Sequence, residues 1–178
     1  MILKRDDTFR VVFNIRTPVS TSTETVGSGI IVVTPSEDVY LVTATHVATS
    51  CTASSTVIIS DQQGNPTSLR LIDFNRNMSW QHHPVADISV LPVELSVAIQ
   101  PHLANRCFPV DHFHTDRTTV SRDVELTSVG FPNGLGATGL CSPLSYRSYA
   151  SSALITLSRF DTGTPSDFFL LENPSIGG

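Results

Sequence analysis

Short runs of β-branched and aromatic residues, each closed by a turn signal, recur along almost the whole chain. Phe9 to Arg16 is stopped by Pro18, and Val26 to Val33 is stopped by Thr34-Pro35-Ser36-Glu37-Asp38. Val39 to Val42, Val57 to Ser60, Leu69 to Phe74, Ala86 to Val93, Asp123 to Gly130, Ala153 to Leu157 and Phe168 to Leu171 continue the series. Runs this short, with turns between them, point to an all-β barrel or sandwich. Helical periodicity is scarce, and its best short stretch is Ala44 to Cys51. No solenoid-length repeat or low-complexity tract interrupts the pattern.

Composition agrees. Ser and Thr together number 42 and Val and Ile 29 of the 178 residues, types that suit a pleated, half-buried surface. Charged residues are only 15%, which disfavours long charged helices and charged disordered tails. The formal net charge of −5 argues against nucleic acid as the main partner, because phosphate binding needs basic patches. No apolar run approaches a membrane span, and Met1-Ile2-Leu3-Lys4-Arg5-Asp6-Asp7 lacks a signal-peptide core. Cys51, Cys107 and Cys141 are an odd number without CxxC spacing, so they are read as reduced thiols in a cytoplasmic protein.

Residues 101–122 break the alternation. They hold two prolines, three histidines and three arginines, and read as a linker between a lobe over 1–100 and a second over 123–178.

Two segments carry the chemistry. In Leu41-Val42-Thr43-Ala44-Thr45-His46 a strand runs into a small-residue turn that ends in histidine. In His83-Pro84-Val85-Ala86-Asp87-Ile88-Ser89-Val90-Leu91 a single carboxylate sits among apolar residues, where it needs a hydrogen-bonding partner. An imidazole N–H would be such a partner, and the pairing would orient the histidine as a general base. Taken singly, a core histidine and a turn-capping aspartate are the plainer alternatives.

In order and spacing these segments resemble the chymotrypsin-like serine peptidases, closest to the bacterial trypsin-like peptidase domains of the HtrA-like group. Gly27-Ser28-Gly29-Ile30-Ile31 resembles the Gly-Ser-Gly strand that precedes the family's histidine. Thr43-Ala44-Thr45-His46 is similar to its Thr-Ala-x-His, and His83 to Leu91 to its His-Pro-x-x-Asp strand. Gly130-Phe131-Pro132-Asn133-Gly134 is more loosely similar to the turn that opens the second barrel. The resemblance implies a double β-barrel, with His46 as general base and Asp87 as its orienter. It further implies that Gly178 opens the Gly-x-Ser-Gly turn and supplies an oxyanion N–H. The nucleophilic serine would then lie two residues beyond Gly178, with the strands completing the second barrel after it. Pro174, Ser175 and Gly177 would line the substrate pocket, where no acidic residue stands to favour Arg or Lys at P1. The implied substrate is a peptide or protein, and no cofactor or metal is implied. The alternative is a non-catalytic, protease-like module that binds peptides or a partner protein.

Four other candidates compete. Ser175 is a rival nucleophile, but Ile176 breaks its Gly-x-Ser-Gly pattern, and Cys141 lacks the flanking glycines of a cysteine variant. Gly134-Leu135-Gly136-Ala137-Thr138-Gly139 matches a dinucleotide fingerprint but needs a helix after it, where Pro143 stands. His112 and His114, with Asp116 or His102, could ligate zinc, although such a run is more often a solvated linker.

Overall fold

The computed structural model describes residues 9–61, 63–113, 120–159 and 162–172. These form an all-β chain with a few short helical turns. In the first lobe, β1 (Val12–Pro18), β2 (Glu24–Val33), β3 (Val39–Thr43), β4 (Thr56–Ser60), β5 (Pro66–Arg70), β6 (Gln81–His82) and β7 (Ser89–Pro92) make one sheet in the order β5-β4-β1-β2-β3-β7-β6. All of these neighbours pair antiparallel. An eighth strand, β8 (Phe108–Pro109), pairs in parallel with Val32 and Val33, past the end of the β1 ladder. The segment that follows β5 folds back onto the end of β7: the Glu94 N–H donates to the Phe74 carbonyl at 2.7 Å, and Asn75 Nδ2 to the Pro92 carbonyl at 3.1 Å.

Alternation along each strand explains the core. Phe13 and Ile15 of β1, Ile31 of β2, Leu41 of β3, Val57 and Ile59 of β4 and Leu91 of β7 all point inward, and none is more than 1% exposed. Their strand neighbours Val12, Ile30 and Ile58 point the other way, into a second apolar cluster with Phe131, Ala137 and Cys141. The second cluster joins the lobes. Ile99 and Leu103, which flank and end the helical turn α3 (Gln100–Leu103), belong to the first core.

The second lobe holds two antiparallel pairs, β9 (Glu125–Gly130) with β10 (Leu144–Tyr149) and β11 (Ile155–Ser158) with β12 (Pro165–Phe168). A single bridge between Ala150 and Leu171 ties one pair to the other.

Four local expectations are corrected. Leu69 to Phe74 is not one strand: β5 ends at Arg70, and Leu71–Phe74 forms the helical turn α2. Leu71 and Phe74, three apart, are both fully buried, and Arg70 closes a two-pronged ion pair on Asp73 at 2.6 and 3.0 Å. Both spacings suit a helix better than a strand. Ala86 to Val93 yields a strand only from Ser89, because His83 Nδ1 accepts the N–H groups of Val85 and Ala86 at 3.2 and 2.8 Å and folds that stretch into a loop. The last strand is Pro165–Phe168 rather than Phe168 to Leu171. Leu144–Tyr149 is a strand that the glycine-rich loop before it concealed. That loop carries Gly134, Gly136 and Gly139 at φ of +72°, +79° and +78° and leads into β10 rather than a helix, so it lacks the helix N-terminus on which a dinucleotide phosphate would rest.

Candidate functional site

The short helix α1 (Thr45–Ser50) follows β3 directly. Val47 and Ala48 bury its inner face, and His46 is left on the outer one. The Gly27-Ser28-Gly29 stretch of β2 makes this approach possible. A Cβ on Gly27 would stand 2.5 to 2.6 Å from the Val47 methyls, and one on Gly29 would overlap the Phe13 ring and the Val42 carbonyl oxygen. Between the two glycines, Ser28 Oγ accepts the Phe131 N–H at 2.7 Å, and the Ser28 carbonyl accepts Thr43 Oγ1 at 2.8 Å. One tripeptide thus seats α1, fixes the end of β3 and pins the second lobe.

The structure brings His46 and Asp87 together. His46 Nδ1 lies 2.7 Å from Asp87 Oδ2, and the His46 backbone N–H donates to Asp87 Oδ1 at 3.1 Å. A carboxylate only accepts, so Nδ1 carries the proton and Nε2 is left as the outward ring nitrogen. The imidazole is 60% exposed and the carboxylate 32%. Asp87 lies in the loop before β7 and not inside a buried strand, which corrects the picture of a carboxylate sunk in apolar surroundings. Burial pushes its pKa up, but the hydrogen bonds from the His46 ring and amide, with the nearby Arg159 charge, outweigh that and hold it below the usual carboxylate value.

Two contacts around the pair had no sign in the sequence. Arg159, at the end of β11, places Nη2 3.3 Å from Asp87 Oδ1. Ser89, fully buried, donates to Thr45 Oγ1 at 2.9 Å and lies 2.6 Å from His82 Nδ1, tying β6 and β7 to the residue before His46. Beside Asp87 a groove of about 610 Å³ runs over the outer face of β2, β3 and β7, walled by Ile30, Val32, Tyr40, Val42, Val90 and Phe113.

Pro174, Ser175, Gly177 and Gly178 lie outside the described residues, as do His114 and Asp116. Among the described residues no group of three or more His, Cys, Asp or Glu is placed to hold a metal ion. Cys141 lies in the interlobe cluster against Phe131 and Ala137, its thiol pKa pushed up by burial despite the nearby Arg106 charge. Among the described residues no helix is long and apolar enough to cross a membrane.

No family model and no curated protein matches this sequence. Solved structures do. The MamO protease domain from Magnetospirillum magneticum, in its apo form, superposes with a TM-score of 0.53 over 89% of this chain and 69% of that one, at 16% identity. A serine endoprotease from Yersinia pestis gives a TM-score of 0.47 at 16% identity, and this chain spans about half of it, 51%, with 93% of its own length covered. With its antiparallel sheets and the MamO superposition, the chain has the fold of the chymotrypsin-like protease domains.

Proposed function

We propose that this chain carries the general base and the orienting carboxylate of a trypsin-like serine endopeptidase that cleaves peptide bonds. The single observation that carries the reading is the 2.7 Å contact between His46 Nδ1 and Asp87 Oδ2, on a fold shared with protease domains. The second bond, from the His46 amide to Oδ1, restrains the carboxylate and the ring together.

The chemistry follows from that geometry. Nε2 takes the hydroxyl proton as a serine oxygen bonds to the peptide carbonyl carbon, and Asp87 stabilises the imidazolium. The proton then passes to the leaving amine as the C–N bond breaks, and water repeats the sequence to release the acyl group. The nucleophile of this proposal is the serine that the family resemblance implies two residues after Gly178, whose N–H would join the serine's own in holding the oxyanion. The proposed setting is cytoplasmic, consistent with three cysteines that form no disulfide.

The test is labelling of the natural reading frame, taken past Gly178 as far as it runs, with a fluorophosphonate probe. Covalent labelling of one serine, abolished in His46→Ala and reduced by about 10⁴ in rate in Asp87→Asn, is the expected result. A folded protein that takes no label refutes the peptidase reading and leaves a peptide- or protein-binding module. Label on Ser175 would relocate the nucleophile.

A further inference from the structure

We propose that Arg159 is a positioning residue for the His46–Asp87 pair: from the second lobe it holds the Asp87 carboxylate in the orientation that serves the imidazole. This rests on the peptidase reading above for its consequence in catalysis, but the contacts themselves do not.

The β11–β12 hairpin is built around this arginine. The Arg159 N–H donates to the Thr164 carbonyl at 2.9 Å, and the Gly163 N–H to the Arg159 carbonyl at 2.8 Å, so its backbone closes the turn. Its side chain is only 9% exposed. Nη1 donates to the Val85 carbonyl at 2.8 Å, while Nη2 meets Asp87 Oδ1 at 3.3 Å. Ser166 on β12 adds a second bond to the same Val85 carbonyl, at 3.2 Å. The hairpin therefore grips the loop between β6 and β7 from both of its strands, and one guanidinium spans a backbone oxygen and the carboxylate two residues on.

That span suits a planar fork with several fixed N–H groups. A lysine ammonium could reach either oxygen but would not set the angle between them. With Oδ1 shared by Arg159 and the His46 amide, Oδ2 is left to the ring. The same cation also competes with the imidazolium for the carboxylate's charge, so it tunes the base as well as placing it. Among the described residues, the charged groups facing Asp87 are His46 from α1 and Arg159 from the hairpin. His82 on β6 turns to Ser89, and His83 in the loop to the Val85 and Ala86 amides.

The experiment compares Arg159→Met, Arg159→Lys and Ser166→Ala in the full natural chain. Carboxylate-labelled aspartate gives the Asp87 titration by carbon NMR, and proton NMR gives the His46 Nδ1–H signal. Arg159→Met is expected to move the Asp87 titration to higher pH, to weaken or shift the Nδ1–H signal, and to lower kcat about threefold to tenfold with KM held. Arg159→Lys is expected to return the titration toward wild type but not the full kcat. Ser166→Ala, which loosens the hairpin without touching the carboxylate, is expected to leave both signals in place. Signals in Arg159→Met that coincide with wild type overturn the proposal, and so does a Ser166→Ala variant whose signals shift as those of Arg159→Met are expected to. Arg159→Gln, which keeps an amide donor for the Val85 carbonyl but no charge, repeats the test with the same outcomes should the methionine variant fail to fold. Both NMR signals are read without turnover, so a chain that hydrolyses nothing refutes the peptidase reading while this inference still stands or falls on its own.

Discussion

Substituting Gly27 by alanine is expected to destabilise the first lobe through one side chain, Val47. The new Cβ would stand 2.5 and 2.6 Å from the two Val47 methyls and 3.2 Å from its Cβ. Carbons in good contact sit about 3.5–4.0 Å apart, so α1 must move outward by much of an ångström or Val47 must leave its rotamer. Val47 is 6% exposed and part of the core, and a β-branched side chain in a helix has little rotamer freedom to give. Overpacking of this kind costs about 1–3 kcal/mol. The sign is informative, because Gly→Ala within a strand otherwise gains about 0.5–1 kcal/mol. Val47→Ala alone removes two buried methyls, for a loss of about 2 kcal/mol. In the double variant the alanine methyl enters space the valine vacated, so the two losses should not add, and a coupling of at least ~1 kcal/mol is expected. Urea unfolding at matched m-values measures all three variants. Gly29→Ala is the control, since its clash is with Phe13 and the Val42 carbonyl and Val47→Ala cannot relieve it. A Gly27→Ala protein as stable as wild type, or losses that simply add in the double variant, would refute the account of why glycine precedes Ser28.

Two further outcomes are expected. Asp87→Ala removes a carboxylate that accepts two bonds from His46, a loss of about 1–3 kcal/mol near neutrality. Because the folded-state pKa of Asp87 is depressed, that stability is present above the unfolded value of about 3.9 and is lost as pH falls through the folded value, so the gap between wild type and variant should narrow as the solution is made more acid, and a gap that does not narrow with falling pH would contradict it. Burial raises the pKa of Cys51 against its bonds to Thr17 and Ser55, raises Cys107 unopposed, and raises Cys141 against Arg106. Native alkylation by iodoacetamide near neutral pH should therefore run at least about tenfold slower than in urea, and one fast-reacting native thiol would contradict this.

Much of the first lobe is legible from local pattern. Strand faces alternate every two residues whatever the tertiary context, so Phe13 and Ile15, and likewise Val57 and Ile59, must share a face, which packing makes the core. The Thr-Ala-Thr-His turn and the lone carboxylate of the later segment mark two groups that want each other, and they meet across 41 residues at 2.7 Å. Leu71–Phe74 was misread because a short apolar run fits a strand or a helical turn equally well, and only the packing of Leu71 and Phe74 into one core decides it. The loop before β7 was misread because His83 captures amides that the pattern alone would spend on a ladder.

What only the tertiary structure decides is the join between the lobes. Ser28 Oγ meets the Phe131 amide across 103 residues, and Arg159 meets the Val85 carbonyl across 74. A serine between two glycines and an arginine at a strand end carry no mark of those partners, because periodicity reports which face a side chain takes and not what lies opposite that face. The sequence alone therefore determined the all-β class and the two residues that form the pair. Packing determined which oxygen of Asp87 serves His46, and which cation holds the other.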